Sequence, residues 1–493
     1  MDLRTKVIKG ASWTVIYQVT NQVLSIGVMV ILARLLNPED FGTVALSDVF
    51  VVFAYLFADL GMGPAIIQRK EIDDSHLSTS FWVSLITGFA LTLLLSAASP
   101  FIASFYNRSI LKYVIIVSSA TFILGAFTSI HKTILTRNLE FNKIAYVNIT
   151  SRVISAMASV GIALLGLGVW SLVFGAIVAQ ILIIPLMWYL VKWRPRLLFS
   201  KQCFMDMFGF SSYLLAFNFF NYFFRNSDSL IIGRVLGVEI LGYYSLAYGL
   251  MLKPLQYVSW SVGNVLFPAF SRLQDDKERI RSAYIRVVRS ISLLTFPMML
   301  GLIVVSREFV LTFYGAKWAP VVIPLQLLSI IGAIQSIGTT VGIIFNSQGK
   351  SNLQLKWGVF ASTTYVAAFF IGIHWGLIGL ILMYMGVCFI IWPVSHYISN
   401  QIIGLDMKTF FRSMFPATAA SVLMFTALIL LKYVFLRTLQ LESHFLLMVL
   451  VPLGVVLYAA FLQIFFKVPE VEELKNFLRG IITSRLIPAF KRV

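Results

Sequence analysis

Residues 218–242 read NFFNYFFRNSDSLIIGRVLGVEILG, and residues 18–42 read QVTNQVLSIGVMVILARLLNPEDFG. Both stretches are apolar runs that carry a polar stripe and end in a charged turn. At a constant offset of 200 they share the pairs Arg34 and Arg234, Leu36 and Leu236, Glu39 and Glu239, and Gly42 and Gly242. This repetition predicts that the chain consists of two similar halves, each beginning with the same kind of membrane helix.

The similarity extends beyond the first helix of each half, with an offset that grows from 200 to 208 as loop insertions would produce. The further matched pairs are Pro64 and Pro268, Tyr106 and Tyr314, Gly125 and Gly332, Ser129 and Ser336, Gly168 and Gly376, and Pro185 and Pro393. One repeat contains six apolar runs, and an even number returns the chain to its starting side. The two halves are therefore expected to be parallel, related by a pseudo-twofold axis along the membrane normal.

Composition places the whole chain in a membrane. Of its 493 residues, 59% are hydrophobic and 12% are charged, about half the charge of a soluble protein. Apolar runs of about 20 residues, long enough to cross the hydrocarbon core, recur throughout. The sequence predicts an all-α polytopic membrane protein with about fourteen transmembrane helices. The predicted spans are 12–34, 43–66, 79–102, 111–131, 145–165, 169–191, 207–233, 241–268, 287–305, 320–345, 354–373, 377–398, 411–431 and 445–466.

Four segments follow from these spans and the repeat. They are an N-terminal six-helix lobe (1–200), a C-terminal six-helix lobe (201–400), two additional transmembrane helices (401–468) and a cytoplasmic amphipathic tail (469–493). The N-terminus is basic, but the apolar run behind it is too long for a cleaved signal peptide and is expected to be the first span.

The net charge of +18 reflects orientation rather than nucleic-acid binding. Most of the 39 Lys and Arg residues lie in the two termini and in alternate loops on the same side. Basic loops stay in the cytoplasm, so both termini are expected to be cytoplasmic. Two isolated cysteines, Cys203 and Cys388, give neither a metal-ligand spacing nor a disulfide framework.

Polar stripes on the first and seventh spans are the main candidates for binding substrate. Gln18, Asn21, Gln22 and Ser25 share one helical face, as do Asn218, Asn221, Arg225 and Asp228. Polar groups at membrane depth are costly and usually face a bundle interior or a wet cavity. We expect both stripes to line a cavity, facing each other across the pseudo-twofold axis. The alternative is that they only hold helices together, with Arg225 and Asp228 paired within one turn.

Further cations lie inside the predicted spans. Arg152 in the fifth span and Lys253 in the eighth, together with Arg225, would form a cationic lumen that attracts phosphate or an acidic sugar. Lys253 could instead extend to the membrane interface. Tyr248 and its aromatic neighbours could stack on sugar rings, although an interfacial aromatic belt also explains them. His131 is expected to be a packed polar residue rather than a ligand.

Three carboxylates could couple transport to an ion gradient. Asp48, Tyr55 and Asp59 are predicted to share one face of the second span, and Asp228 lies in the seventh. Intramembrane carboxylates commonly serve proton and ion pathways. The alternative for Asp59, which precedes the sequence GMGP, is a cap or an interfacial position.

Enzymatic motifs are missing from the sequence. It contains no P-loop, no His/Cys cluster and no nucleophile elbow. We therefore expect a transport protein, not an enzyme, without cofactor or metal, driven by an ion gradient or by the gradient of its substrate.

Several motifs resemble one protein family. The sequence contains KGASW at 9–13, ILARLLNPEDFGTVAL at 31–46, DLGMGPAIIQRKE at 59–71, LEFNKIAY at 139–146, LIIGRVLG at 230–237, LGYYSLAY at 241–248 and LFPAFSRLQDD at 266–276. With these motifs, nearly the whole chain resembles polysaccharide-exporting flippases of the Wzx type, within the multidrug/oligosaccharidyl-lipid/polysaccharide exporter superfamily. The resemblance is closest to the colanic-acid and teichuronic-acid exporters.

This resemblance implies a fold of two six-helix lobes around a central cleft, plus two C-terminal helices, working by alternating access. It implies a flippase that moves an undecaprenyl-pyrophosphate-linked oligosaccharide across the bacterial inner membrane. Membrane lipids, a polysaccharide polymerase and glycosyltransferases would be its partners. It supplies no motif for the substrate residues, so the candidate sites rest on the helical faces alone.

Two other functions stay open at this level. An ion-coupled exporter of small amphipathic drugs would need acidic lumen walls and usually twelve spans. A membrane-embedded transferase or polymerase would need a catalytic loop with paired carboxylates or a histidine.

Overall fold

The computed structural model describes residues 3–58, 62–69, 71–260, 266, 270–274, 276–438 and 442–466, without the side chains of 3–12, 14–16, 206–221, 259–260 and 437–438. Every regular element in these ranges is helical. The helices are α1 (Leu3–Leu35), α2 (Pro38–Tyr55), α3 (Met62–Gln68), α4 (Asp74–Phe105), α5 (Ser109–Arg137), α6 (Phe141–Leu164), α7 (Trp170–Leu190), α8 (Lys201–Val235), α9 (Val238–Leu255), α10 (Lys277–Phe313), α11 (Val322–Ser347), α12 (Ser351–Gly372), α13 (Gly376–Ile403), α14 (Met407–Thr438) and α15 (Ser443–Phe461). Short π-helical turns follow α9 and α15, at Gln256–Trp260 and Leu462–Phe466.

Helices occupy the described part of every predicted span, and the all-α polytopic class is confirmed. Ten stretches of the described chain are long and apolar enough to cross a membrane, and one of them, Ser351–Ile403, contains both α12 and α13. The predicted spans outside these ten fall on α2, α8 and α9. These three helices carry more charge: α2 has three acids in its 18 residues, α9 has Glu239 and Lys253, and α8 has three charged residues between positions 225 and 234.

The second predicted span is not one helix. α2 ends at Tyr55 and α3 begins at Met62, so the expectation of a continuous span over 43–66 is wrong. Pro64 explains the break, because proline lacks the N–H that a continuous helix needs and is tolerated in the first turn of a new one. Asp48 lies on α2, and Asp59 lies outside the described residues.

The backbone repeats between the two halves. α2 and α9 begin and end at an offset of 200, Pro38–Tyr55 against Val238–Leu255. The turns between helices contain residues with positive φ angles at matching places in the two halves. The three pairs are Asn107 (54°) and Gly315 (92°), Leu139 (58°) and Gly349 (66°), and Gly168 (53°) and Gly376 (73°). A proline lies inside each of two matching helices, Pro185 in α7 and Pro393 in α13. The repeat read from the sequence is therefore also a repeat of helices and turns.

The chain forms two compact units, Met1–Ser245 and Leu246–Val493. In the first, α4 packs on α5, α6 packs on α1 and α7, and α8 contacts α2, α3 and α4. In the second, α10 packs on α11, α14 and α15, while α13 packs on α11 and α12. Tyr284 of α10 stacks on Phe410 of α14, with ring centroids 6.2 Å apart. The two helices beyond the repeat are thus built onto α10.

Candidate functional site

Arg152 is a cation inside a membrane helix of the first unit, and its side chain contacts the polar stripe of α1. It lies in the middle of α6, a helix apolar enough to span the membrane. Its side chain is exposed, and its Nη2 donates a 3.0 Å hydrogen bond to the hydroxyl oxygen of Ser25 on α1. Among the described residues Arg152 makes no ion pair. A neutral hydroxyl leaves its charge uncompensated and most of its five N–H donors available.

The contact joins Arg152 to the polar stripe of α1. On that stripe Gln18 is exposed, and Asn21, Gln22 and Ser25 are half-buried. The Nε2 atom of Gln22 is inaccessible and has no hydrogen-bond partner among the described atoms. Toward the C-terminal end of α1, the buried side chains of Leu32 and Leu36 pack against Ala163 of α6. The apolar end of α1 thus fixes its contact with α6, and its polar part lies where Arg152 reaches it.

On α8, Arg225 and Asp228 occupy different environments. Arg225 is exposed and makes no ion pair with any residue that the structure describes. Asp228 is only 6% exposed. Its Oδ2 accepts a 2.5 Å hydrogen bond from the hydroxyl of Tyr244, and its Oδ1 accepts one of 2.7 Å from the backbone N–H of Ser229. The alternative in which Arg225 and Asp228 pair within one turn is therefore wrong.

Asp48 lies on α2 beside its contact with α8. Its side chain is exposed and accepts no hydrogen bond from the described residues. The hydroxyl of Tyr222 donates a 2.8 Å hydrogen bond to the backbone oxygen of Val49, the residue next to Asp48. Aromatic contacts complete the junction, with the rings of Phe53 and Phe223 4.7 Å apart. Asp48 is thus an accessible carboxylate held next to a packed helix pair.

The starts of α2 and α9 approach at their glycines. A Cβ atom on Gly42 would overlap the carbonyl oxygen of Val238 and lie 2.8 Å from the backbone N of Gly242. A Cβ atom on Gly242 would overlap the carbonyl oxygen of Pro38 and lie 3.2 Å from the N of Gly42. Only glycine permits this approach at either position.

The remaining predicted site residues are described in part. Tyr248 and Lys253 on α9 are half-buried, and each interacts with other residues. The backbones of Asn218 and Asn221 are helical, but their side chains lie outside the described residues, as does the predicted amphipathic tail. His131 is buried, and its ring stacks on that of Trp188 with centroids 4.9 Å apart, as expected for a packing residue.

Two pairs of charged residues in the second unit were not predicted from the sequence. Lys432 of α14 forms a 2.7 Å ion pair with Glu308 of α10. Arg289 and Arg412, on the same two helices, line a common cavity. Neither pair forms a local sequence pattern, because its two residues lie more than 100 positions apart. No group of three His, Cys, Asp or Glu residues that could hold a metal ion occurs in the described ranges.

Comparison with known proteins gives a consistent family. Residues 31–323 match the family described as polysaccharide biosynthesis protein. The chain is 29% identical over 422 residues to the lipopolysaccharide biosynthesis protein WzxC of Escherichia coli (strain K12), covering 84% of this chain and 85% of that protein. It is 26% identical over 429 residues to the teichuronic acid biosynthesis protein TuaB of Bacillus subtilis (strain 168), covering 85% and 88%.

A solved structure shares the fold. The chain superposes on the lipid II flippase MurJ, in an inward closed conformation, with a TM-score of 0.70 at 16% identity. The match covers 92% of this chain and 99% of the other. At this identity the likeness defines the architecture.

Proposed function

Because this chain belongs to the polysaccharide biosynthesis protein family, we propose that it is a flippase for a lipid-linked oligosaccharide in the synthesis of a surface polysaccharide. It is a multi-pass membrane protein of the Wzx type and a transporter rather than an enzyme. The proposed cargo is a repeat unit linked to undecaprenyl pyrophosphate, moved by alternating access from the cytoplasmic to the outer leaflet.

Arg152 carries this proposal. A guanidinium in the middle of a membrane helix is costly unless it faces a polar pathway. Arg152 is exposed, and among the described residues its one hydrogen-bond partner is the hydroxyl of Ser25. A planar fork of N–H donors matches the oxygens of a phosphate. Arg152 would therefore hold the pyrophosphate, and the amides of Gln18 and Asn21 on the adjoining stripe would bind sugar hydroxyls.

Arg225 would supply a second cation to the anionic cargo. It is exposed on α8 and, within the described part of the chain, is not neutralised by an acid. Asn218 and Asn221 on the same helix, and Lys253 and Tyr248 on α9, are proposed as further contacts. A drug exporter for small cations would instead need exposed acids where these arginines lie.

Ion coupling is proposed to act through Asp48. The Asp48 side chain is exposed next to Val49, which accepts the Tyr222 hydrogen bond, whereas Asp228 is buried and accepts a hydrogen bond from the hydroxyl of Tyr244. A group that binds and releases a proton or sodium ion must be reachable from water. Asp48 meets this requirement better than Asp228. Asp59 is retained as a proposed coupling residue on sequence grounds alone.

Orientation and partners complete the proposal. We propose a location in the bacterial inner membrane with both termini in the cytoplasm, because basic residues concentrate in the termini and in alternate loops. Glycosyltransferases would act before this step, and a polysaccharide polymerase would act after it.

The test uses a strain that lacks the gene and carries plasmid-borne variants. We expect the strain without the gene to accumulate complete undecaprenyl-linked repeat units on the cytoplasmic face and to lose its surface polysaccharide. Fractionation, leaflet-specific labelling and mass spectrometry measure both. Normal polysaccharide with no accumulated intermediate would contradict the proposal.

Variants assign the role of the arginine. Arg152→Gln should lower export at least about tenfold, since each charge-assisted hydrogen bond to a phosphate contributes about 1.5–3 kcal/mol. Lys143→Gln is the matched control. It removes a cation from the same helix, where Lys143 pairs with Glu140 at 3.0 Å. Equal export by both variants, at equal membrane abundance, would remove Arg152 from the site.

A further inference from the structure

A cavity of about 360 Å³ lies within the second unit, apart from the proposed transport site. α10 and α14 form its walls, and the π-helical turn after α15 contributes Phe466. The described lining residues are Ile285, Arg289, Thr409, Arg412, Ser413, Phe415, Pro416 and Phe466. The cavity is partly open and large enough for a phosphodiester group.

The polar part of the lining suits an anion. Arg289 is half-buried on α10, and Arg412 is exposed on α14. Thr409 and Ser413 add hydroxyls, and Ser413 donates its own proton to the backbone oxygen of Phe410 at 2.7 Å. Of the described residues that line the cavity, none carries a carboxylate. A lining with two arginines and, among its described residues, no acid favours a group with several anionic oxygens.

The rest of the lining is apolar, and the apolar surface continues outside it. Ile285, Phe415, Pro416 and Phe466 complete the walls. Phe411 and Phe415 on α14 and Phe465 beside the cavity residue Phe466 are 46%, 61% and 60% exposed. A free inorganic anion would not need such surroundings. A lipid would, because its headgroup and its acyl chain occupy adjacent polar and apolar spaces.

The position along the helices fits a headgroup of the cytoplasmic leaflet. The cavity lies near the first turns of α14, which begins at Met407 after its N-cap Asp406. The loops that join α9 to α10 and α13 to α14 fall on the basic, cytoplasmic side of the predicted topology. Basic pockets between membrane helices on this side are known to bind anionic lipid headgroups.

We infer that this cavity binds the phosphate of an anionic phospholipid, with Arg289 and Arg412 as its ligands and an acyl chain along the exposed face of α14. The same phosphate chemistry could come from a polyprenyl phosphate, so the experiment must separate the two lipids. The site does not depend on the proposed transport function.

Native mass spectrometry of the full-length protein in a neutral detergent can measure the binding. Phosphatidylglycerol, phosphatidylcholine and undecaprenyl phosphate are titrated separately. We expect phosphatidylglycerol to bind the wild type at least about tenfold more tightly than phosphatidylcholine. The double variant R289Q/R412Q should bind it about thirtyfold more weakly, as two basic residues near an anionic lipid would account for.

The matched control is R286Q/K408Q. It removes two cations from the same helices, and both side chains are exposed and outside the cavity lining. We expect its affinity for phosphatidylglycerol to change by less than about threefold in physiological salt, where exposed charges are screened. Equal losses in the two double variants would overturn the inference, and so would tighter binding of undecaprenyl phosphate than of phosphatidylglycerol.

A second variant protects the test against misfolding. Thr409→Glu places a carboxylate inside the cavity at the third residue of α14, where glutamate favours helix formation. This variant should keep the wild-type melting temperature in detergent and lose phosphatidylglycerol binding. Retained binding by a folded T409E protein would also overturn the inference.

Discussion

Gly42 and Gly242 are equivalent residues of the two repeats, and each lies against the backbone of the other's segment. The space beside Gly42 is filled by Val238, and the space beside Gly242 is filled by Pro38. Pro38 and Val238 are themselves equivalent at the same offset of 200, so the contact is reciprocal. Contacts of this form arise where a twofold relation holds between two segments.

Replacing Gly42 by alanine should destabilise the protein. The new methyl group would overlap the Val238 carbonyl, and overpacking of this kind costs about 1–3 kcal/mol. We expect a lower melting temperature in detergent for Gly42→Ala and a similar loss for Gly242→Ala. Gly27→Ala is the control, because nothing lies within 4 Å of its Cβ position. An unchanged melting temperature for both test variants would show that the close contact between the starts of α2 and α9 does not contribute to stability.

The Asp228–Tyr244 hydrogen bond is expected to anchor α8 to α9. Tyr244→Phe removes one of the two hydrogen bonds that the described residues donate to the buried Asp228 carboxylate, and losing one such partner costs about 1–3 kcal/mol. Asp228→Asn and Tyr244→Phe should each lower the melting temperature. Their double variant should lower it by less than the sum, since both remove the same interaction. Strict additivity would mean that the two side chains act independently.

Asp48→Asn should uncouple export from the ion gradient without unfolding the protein. The side chain is exposed and makes no hydrogen bond to the described residues, so its loss leaves packing intact. Export by vesicles is measured with and without a protonophore or a sodium ionophore. The wild type should be inhibited by one of them and the variant by neither. Glu71→Gln, an exposed acid after α3, is the control. A D48N protein that stays as sensitive as the wild type would exclude this carboxylate.

The Glu308–Lys432 ion pair should be stabilising only while it is complete. Glu308 is 3% exposed, and Lys432 also donates to the backbone oxygen of Val304 at 2.7 Å. Breaking a buried pair by removing one partner costs about 3–5 kcal/mol, whereas an apolar replacement of both is close to neutral. Lys432→Met and Glu308→Leu should therefore each lower the melting temperature more than the double variant does. A double variant as unstable as the worse single one would contradict this account.

Helix positions and the repeat could be predicted from the sequence because both depend on local patterns. Apolar runs, turn glycines and prolines specify where helices start and stop. The polar stripe of α1 could be predicted for the same reason, since a period of 3.6 residues decides which side chains share a face. The break after Tyr55 was missed because Pro64 is compatible with both a kink and a new first turn.

Partners across helices could not be predicted in this way. Spacing along α8 suggested that Asp228 pairs with Arg225, but burial of Asp228 against α9 selects Tyr244 instead. Lys432 and Glu308, like Arg289 and Arg412, meet only because α14 packs on α10. Periodicity shows which face of a helix is polar, and packing alone decides what that face meets.

The reciprocal glycine contact also bears on how the chain arose. In a six-helix ancestor that had not yet been duplicated, one glycine would have made this contact twice, once on each copy of a homodimer. Any substitution there would have damaged both copies of the interface together. Duplication and fusion would have made the two glycines separate codons, free to change one at a time, and in the present chain each still contacts the segment equivalent to its own.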